Sequence, residues 1–259
     1  MEIQNNDNLK NMDGLNHLTS VGGSLRICGN EKLQSLNLEE LISVSNDFTV
    51  FENCSLPIGQ ATQLRDQVLG GDGVGGEITI RCNYDESYPG PAWVGNYTIR
   101  DNSDVKKLSS YTYVTGDLKI ADSEYNEFER LTNLTRVGCS LIIQNNHTLT
   151  NLTCFENLTT IDGNLVIINN DALTNLAGLE NLTSTGNLLS IRENDVLMTL
   201  NLDKLCSVGG DVQIKDHDEL CENLAIDLKN QIETCPEGGV TNSHSEIDIA
   251  NNKDCSSNL

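Results

Sequence analysis

The chain of 259 residues is long enough for one or two domains, and its 37% apolar content suffices for a buried core. A formal net charge of -22 repels phosphate backbones and anionic headgroups, which removes the electrostatic drive for nucleic-acid or bare-membrane binding. No stretch approaches the roughly 20 apolar residues of a membrane helix, and the opening "MEIQNNDNLKNMDGL" is not a charged and then apolar leader.

One pattern, apolar-x-Ile-x-x-Asn, begins in the first residues and returns along the whole chain. Its anchors are Ile3, Ile27, Val50, Ile80, Ile99, Ile120, Ile143, Ile167, Ile191, Ile214 and Ile249. Three residues after them stand Asn6, Asn30, Asn53, Asn83, Asn102, Ser123, Asn146, Asn170, Asn194, His217 and Asn252, so nine of eleven are Asn. Each anchor and its alternating apolar neighbour, as in Leu165 and Ile167, predict a short strand with one buried face. The apolar residues that follow at every third position, Leu173, Leu176, Leu179 and Leu182 in one copy, predict a coil turning repeatedly inward. Units this short cannot bury a core alone and must stack on their neighbours. The expected fold class is an all-β solenoid, a right-handed parallel β-helix. Stacked Asn amides both donate and accept, so the Asn column is expected to satisfy backbone groups left unpaired at the rung corner; a row of ligand-binding amides is the other reading.

Taken in chain order, the first rungs run to about residue 54 and are followed by "IGQATQLRDQVLG", in which Ile58, Ala61, Leu64 and Val68 have helical spacing. The breaker "GGDGVGG" and the strand "EITIRCN" come next. After "YDESYPGPAW", which reads as a hinge, the rungs resume and end in "CENLAIDLKNQIETC", with Leu224, Leu228 and Ile232 on one face, then "PEGG" and "SEIDIANN". A solenoid must hide its open end, and an amphipathic helix followed by a last strand does so. The expected organisation is therefore two tandem solenoids, 1–86 and 93–254, joined by a short linker at 87–92, each closed by a cap helix.

The rungs "GNLVIINNDALTNLAGLENLTST" and "GSLRICGNEKLQSLNLEELISV", with the two helix-breaker-strand endings, resemble the receptor L-domain family, the leucine-rich β-helix modules of insulin-type and epidermal-growth-factor-type receptors, fungal cell-wall proteins and microbial surface proteins. The interval of three residues from ladder Asn to Leu, as in Asn170 to Leu173, sets the pattern apart from ordinary leucine-rich repeats. The resemblance implies a non-enzymatic extracellular or cell-surface module that binds a protein or glycan through its sheet faces, or an ectodomain fragment of a signalling receptor. Growth-factor receptors separate their two L domains by a long cysteine-rich module, whereas the connecting stretch "YDESYPGPAW" here is ten residues. Because "MEIQNNDNL" starts at a strand with no capping segment before it, the chain is expected to be part of a longer secreted or surface protein.

Nine cysteines without a C-x-x-C pair favour disulfides over zinc or redox sites, and an odd count leaves one thiol over. Cys54 and Cys82 lie around the first cap, and Cys221 and Cys235 bracket the second cap helix; these four are the disulfide candidates. Of seven N-x-[ST] sequons, Asn96 and the column Asn133, Asn157 and Asn181 are the expected glycosylation sites, while Asn53 and Asn146 are ladder positions. No catalytic motif, metal site or cofactor signature is found; a carbohydrate-active β-helix is the enzymatic alternative. Outward strand positions stack into columns, and those holding Arg26, Phe51, Arg81, Arg100, Ile142, Val166, Ile168, Arg192 and Lys215 are either a ligand-binding face or ordinary exposed strand residues.

Overall fold

A computed structural model describes residues 1–236, 239–240 and 246–255; His244 and Gly238 lie outside them. The chain is mostly β, in parallel sheets with few helices. Strands Glu2–Gln4, Leu25–Cys28, Phe48–Phe51 and Ile78–Arg81 pair in chain order as a four-stranded parallel sheet. Strands Tyr97–Ile99, Leu118–Ala121, Leu141–Gln144, Leu165–Ile168, Leu189–Arg192, Val212–Cys221 and Ile247–Lys253 form a seven-stranded one in the same way. Registers place the anchors side by side, Ile3, Ile27, Val50 and Ile80 in the first sheet and Ile99 through Ile249 in the second.

Each sheet has a companion of two-residue strands: Ser20–Val21, Ser43–Val44 and Gly73–Val74 beside the first, and seven from Ala92–Trp93 to Gly239–Val240 beside the second. Two residues are too few to show alternation, so periodicity does not reveal these companions. Between sheets the chain turns on i to i−3 backbone bonds, such as Leu173 N–H to the Asn170 carbonyl and Leu182 N–H to the Leu179 carbonyl. The every-third-residue leucines fill the interior: Leu149, Leu152, Phe155 and Leu158, then Leu173, Leu176, Leu179 and Leu182, are all at 0% exposure. Burying each such side chain is worth about 1.5–3 kcal/mol, which makes this column the main stabilising term of each rung.

The asparagine column exists as hydrogen-bonded chains. Nδ2 of Asn6, Asn30 and Asn53 donates to Oδ1 of the next member at 3.0, 3.1 and 3.3 Å, ending at Asn83. In the second set Asn146 donates to Asn170 and Asn170 to Asn194, both at 3.0 Å. Ser123 opens this chain through its backbone N–H to Asn146 Oδ1, and His217 closes it, Nδ1 accepting from the Asn194 N–H and Nε2 facing the Ile191 carbonyl. Asn252 reaches back to the Ile214 carbonyl. Asn102 is not a member: it opens a helix, and its Oδ1 accepts the Glu129 N–H. The residue before each ladder position turns left-handed, at φ from 52° to 63° in Glu52, Cys82, Asp122, Asn145, Asn169, Glu193 and Asp216. Asn is among the residues that tolerate this conformation best. Asn169 therefore has a position of its own, and its amide donates to Asn145 Oδ1 at 3.0 Å.

Three α-helices among the described residues close the sheets. Helix α1 (Ile58–Gly70) buries Ala61, Leu64 and Val68 and leaves Ile58 half-buried, and α3 (Glu222–Thr234) buries Leu228 and Ile232 with Ala225, Leu224 being half-buried. Both are fastened by one glutamine in the same way. Gln67 donates to the Leu38 and Leu41 carbonyls at 2.9 and 2.7 Å, and Gln231 to those of Leu202 and Leu205 at 2.9 and 2.8 Å. Helix α2 (Asn102–Leu108) was absent from the sequence expectation, since seven residues hold too little helical period. Its N-cap Asp101 accepts from the Ser103 and Asp104 N–H groups, and Val105 and Leu108 cover the first rung of the seven-stranded sheet.

The two sets of sheets touch along one corner each. Thr115 Oγ1 donates to the Cys54 carbonyl at 2.8 Å, and Asn96 Nδ2 donates to Glu31. The stretch read as a hinge is tied down: Asp85 and Asp162 both bond the Arg136 guanidinium at 2.7 Å, Tyr88 and Tyr113 lie 4.8 and 5.1 Å from it, and the Tyr88 hydroxyl meets Thr135.

Candidate recognition face

In a strand, alternate side chains point to opposite faces, so burying the anchors turns their neighbours outward. On the four-stranded sheet Arg26 and Arg81 both approach the Phe51 ring, at 5.1 and 5.5 Å from its centroid. The register explains the cluster: Phe51 lies opposite Arg81 on one side and Cys28 on the other, with Arg26 two residues before Cys28. Guanidinium groups over an aromatic face gain about 0.5–1 kcal/mol at exposed sites. Two cations are thus gathered in a chain that is otherwise strongly acidic.

The seven-stranded sheet carries a second outward patch. Ile142 pairs with Lys119 and Val166, and Ile168 with Gln144 and Arg192. Ile142, Val166 and Ile168 are half-buried, so their outer surface faces solvent. Arg192 lies opposite Lys215, which pairs with Asp248, while Lys119 and Arg192 make no ion pair among the described residues. Arg192 instead donates from Nε to Ser190 Oγ at 3.1 Å. Arg100 follows the end of its strand and is exposed, its N–H bonded to Asp104, so it stands beside the patch rather than in the ladder. Eight of the nine candidate residues therefore occupy two separate sheets, Arg26, Phe51 and Arg81 on one, and Ile142, Val166, Ile168, Arg192 and Lys215 on the other, while Arg100 lies beyond its strand.

Asn133, Asn157 and Asn181 form a column, as their spacing requires. Each Nδ2 donates to a carbonyl of the preceding rung: Ser109, Thr132 and Glu156, at 2.7, 2.9 and 2.7 Å. The sequon threonines Thr135, Thr159 and Thr183 bond in the same direction, to the carbonyls of Thr112, Thr135 and Thr159. Asn133 and Asn157 are exposed and Asn181 is half-buried, whereas Asn53 and Asn146 have 0% exposure. Asn96 is exposed, but its Oδ1 accepts the Asp117 N–H at 2.7 Å.

The disulfides are Cys206–Cys235 and Cys221–Cys255. Cys221 and Cys235 are bonded, though not to each other: the helix between them carries their side chains to different neighbours, the rung before it and the strand after it. Cys54 and Cys82 are thiols, packed with Cys139 instead. Near them a cavity of about 230 Å³ is lined by Asp7, Glu31, Glu52 and Asp117, together with Asn96, Cys54 and Cys139. Burial first, and then the Asp117 charge, raise the Glu52 carboxyl above its ordinary range; burial likewise raises Asp117, which accepts the Ser140 N–H. Sequence spacing did not bring these carboxylates together, because they belong to different sets of sheets.

This parallel framework, with its ladder, matches a known family in its central part: the family model for the receptor L domain matches residues 112–218. That segment is similar to a receptor L domain. The match spans the strands from Tyr113–Val114 into Val212–Cys221, and so contains Ile142, Val166, Ile168, Arg192 and Lys215. Neither the curated proteins nor the solved structures include a match to the chain. No helix among the described residues is long and apolar enough to cross a membrane.

Proposed function

We propose that the chain is a non-enzymatic extracellular or cell-surface recognition module, built as two tandem right-handed solenoids over 1–86 and 93–254, that binds a protein ligand through the outward face of the seven-stranded sheet. The observation that carries this reading is the apolar strip Ile142, Val166 and Ile168 inside the L-domain match, edged by the unpaired cations Lys119 and Arg192. Such a patch, apolar at the centre and charged at the rim, has the composition of a protein-binding surface, and its charge favours an acidic partner in a molecule whose remaining surface repels one. The two disulfides support an oxidising compartment. Asn96, Asn133, Asn157 and Asn181 are the proposed glycosylation sites, and the family match makes a receptor ectodomain the natural larger context.

The test is a binding screen of the full chain against a panel of secreted and surface ectodomains. An Ile142→Glu/Ile168→Glu variant should lose at least tenfold in affinity for whatever the wild type captures, while Ile226→Glu, on the exposed side of α3, should not. Equal binding by the face variant would refute the assignment.

One observation favours a second reading, a carbohydrate-active site: the carboxyls of Glu52 and Asp117 line one cavity, and a pair of carboxyl groups is what glycoside hydrolysis uses. Hydrolysis of polysaccharides, abolished by both Glu52→Gln and Asp117→Asn, would replace the recognition reading.

A further inference from the structure

Five cysteines are thiols, and three of them, Cys54, Cys82 and Cys139, are buried against one another where the two sets of sheets meet. The remaining two have no such company: Cys28 is on the four-stranded sheet with its sulfur near Gln4, and Cys154 lies in the leucine-filled interior. The trio is drawn from distant parts of the chain, Cys54 and Cys139 being 85 residues apart (139 − 54). Its geometry is held on both sides: Thr115 grips the Cys54 carbonyl, and Cys139 Sγ points to the Cys82 carbonyl at 3.6 Å. No group of three His, Cys, Asp or Glu residues among those described is arranged to hold a metal ion, so the sulfurs are not a ligand set.

We infer that Cys54 and Cys139 close a third disulfide that staples the two sets of sheets together, with Cys82 left as a thiol. Both partners, unlike Cys82, line the cavity of about 230 Å³ at the junction, which gives a small disulfide a route to them. The Cys54 thiolate attacks one sulfur of a small-molecule disulfide RSSR, forming a Cys54–S–S–R bond and releasing RS⁻. Cys139 then attacks the Cys54 sulfur and expels the second RS⁻. Two electrons pass to RSSR, and the two cysteine protons end on two RSH molecules. Hydrogen bonds that the Cys139 S–H makes with Cys54 and Cys82, and then burial, hold the Cys139 thiol far above its ordinary range, so closure is slow once the junction is packed. Joined there, two sets of sheets otherwise linked by a short segment keep one relative orientation, and both candidate faces are presented as a unit.

The inference rests on the extracellular reading, and one experiment separates the two. The full chain, expressed through an oxidising secretory route, is denatured in iodoacetamide without reduction and digested with trypsin and chymotrypsin, so that Cys139 and Cys154 fall in different peptides. Mass spectrometry should find Cys54–Cys139 linked beside Cys206–Cys235 and Cys221–Cys255, with alkylated Cys28, Cys82 and Cys154. Alkylation of Cys54 and Cys139 with the other two bonds intact overturns the staple alone, as does a Cys54–Cys82 or Cys82–Cys139 bond; nine alkylated cysteines overturn the staple and the compartment together. A second measurement counts thiols in denaturant. Incubating protein that holds five thiols with oxidised glutathione should leave three (5 − 2) with no glutathione attached, whereas a Cys139→Ser variant should stop at the mixed disulfide, with three thiols (4 − 1) and one bound glutathione; an unchanged wild-type count overturns the proposal.

Discussion

Asn170 gives the ladder its most exacting test, because the side chain both donates and accepts and is at 0% exposure. Its Nδ2 serves the Ile143 and Ile168 carbonyls at 3.1 Å and Asn194 Oδ1 at 3.0 Å, and its Oδ1 accepts the Asn146 N–H at 3.2 Å. In Asn170→Ala two of these groups keep a partner: Asn194 Oδ1 retains the Asn170 backbone N–H, and the Ile168 carbonyl retains the Asn145 N–H. The buried Asn146 N–H loses its acceptor, which costs about 1–3 kcal/mol, and the lost bond to Ile143 adds about 1 kcal/mol. The expected destabilisation is about 3 kcal/mol, or a fall of about 6–12 °C in thermal midpoint at this chain length. Asn170→Asp is the sharper variant. It keeps the acceptor for Asn146 but sets an anionic oxygen against three acceptor oxygens, so it should cost more than alanine despite its near-identical shape. Calorimetry and urea denaturation read both. An alanine cost below about 1 kcal/mol, or an aspartate milder than alanine, would refute the claim that the column is there to satisfy the backbone.

Three further outcomes follow. Burial lowers the His217 pKa, so as pH falls the unfolded chain binds the proton first; stability should decline below about pH 6.5, and His217→Asn should remove that part of the slope in urea titrations. Arg136 is 17% exposed with two carboxylates and two aromatic rings around it, so Arg136→Met should cost about 3 kcal/mol by leaving Asp85 and Asp162 unpaired, and Arg136→Lys should recover less than half, because an ammonium cannot bridge both acids and stack. Glycopeptide analysis of secreted protein should find no sugar on Asn53 or Asn146, whose amides are buried in the ladder; occupancy of Asn146 would be incompatible with its bond to Asn170.

How much of this was legible in the sequence depends on how local each feature is. Anchors, interior leucines and both cap helices are repeated or periodic within a short window, and the structure places Ile27, Leu173, Leu64 and Ile232 inside as their spacing requires. Helix α2 and the two-residue strands fall below the length at which a period shows, although Asp101 followed by Ser103 and Asp104 is a capping signal. The junction was not legible at all. Cys139 and Thr115 are unremarkable inside their own rungs, and their roles come from residues of the other set of sheets, while Arg136 also engages Asp85 and Tyr88 of the connecting stretch. The disulfide partners failed for a related reason: Cys206 lies on an earlier rung than the helix that brings Cys235 to it, so bracketing in sequence did not equal contact.

The same locality bounds where function can reside. In every rung the anchor, the ladder residue and the inward leucines are committed to packing or to backbone hydrogen bonds. Their side chains are unavailable to a ligand, which disfavours the reading of the asparagine column as a binding row: Asn30, Asn53, Asn83, Asn146, Asn170 and Asn194 have almost no exposed surface. The outward strand positions carry no such obligation, and they differ from rung to rung: Lys119, Ile142 and Val166 follow one another in a single register. A repeated scaffold with one unrepeated column concentrates its chemical individuality there. Changing that column should alter binding and leave stability nearly untouched, whereas changing the ladder should do the reverse.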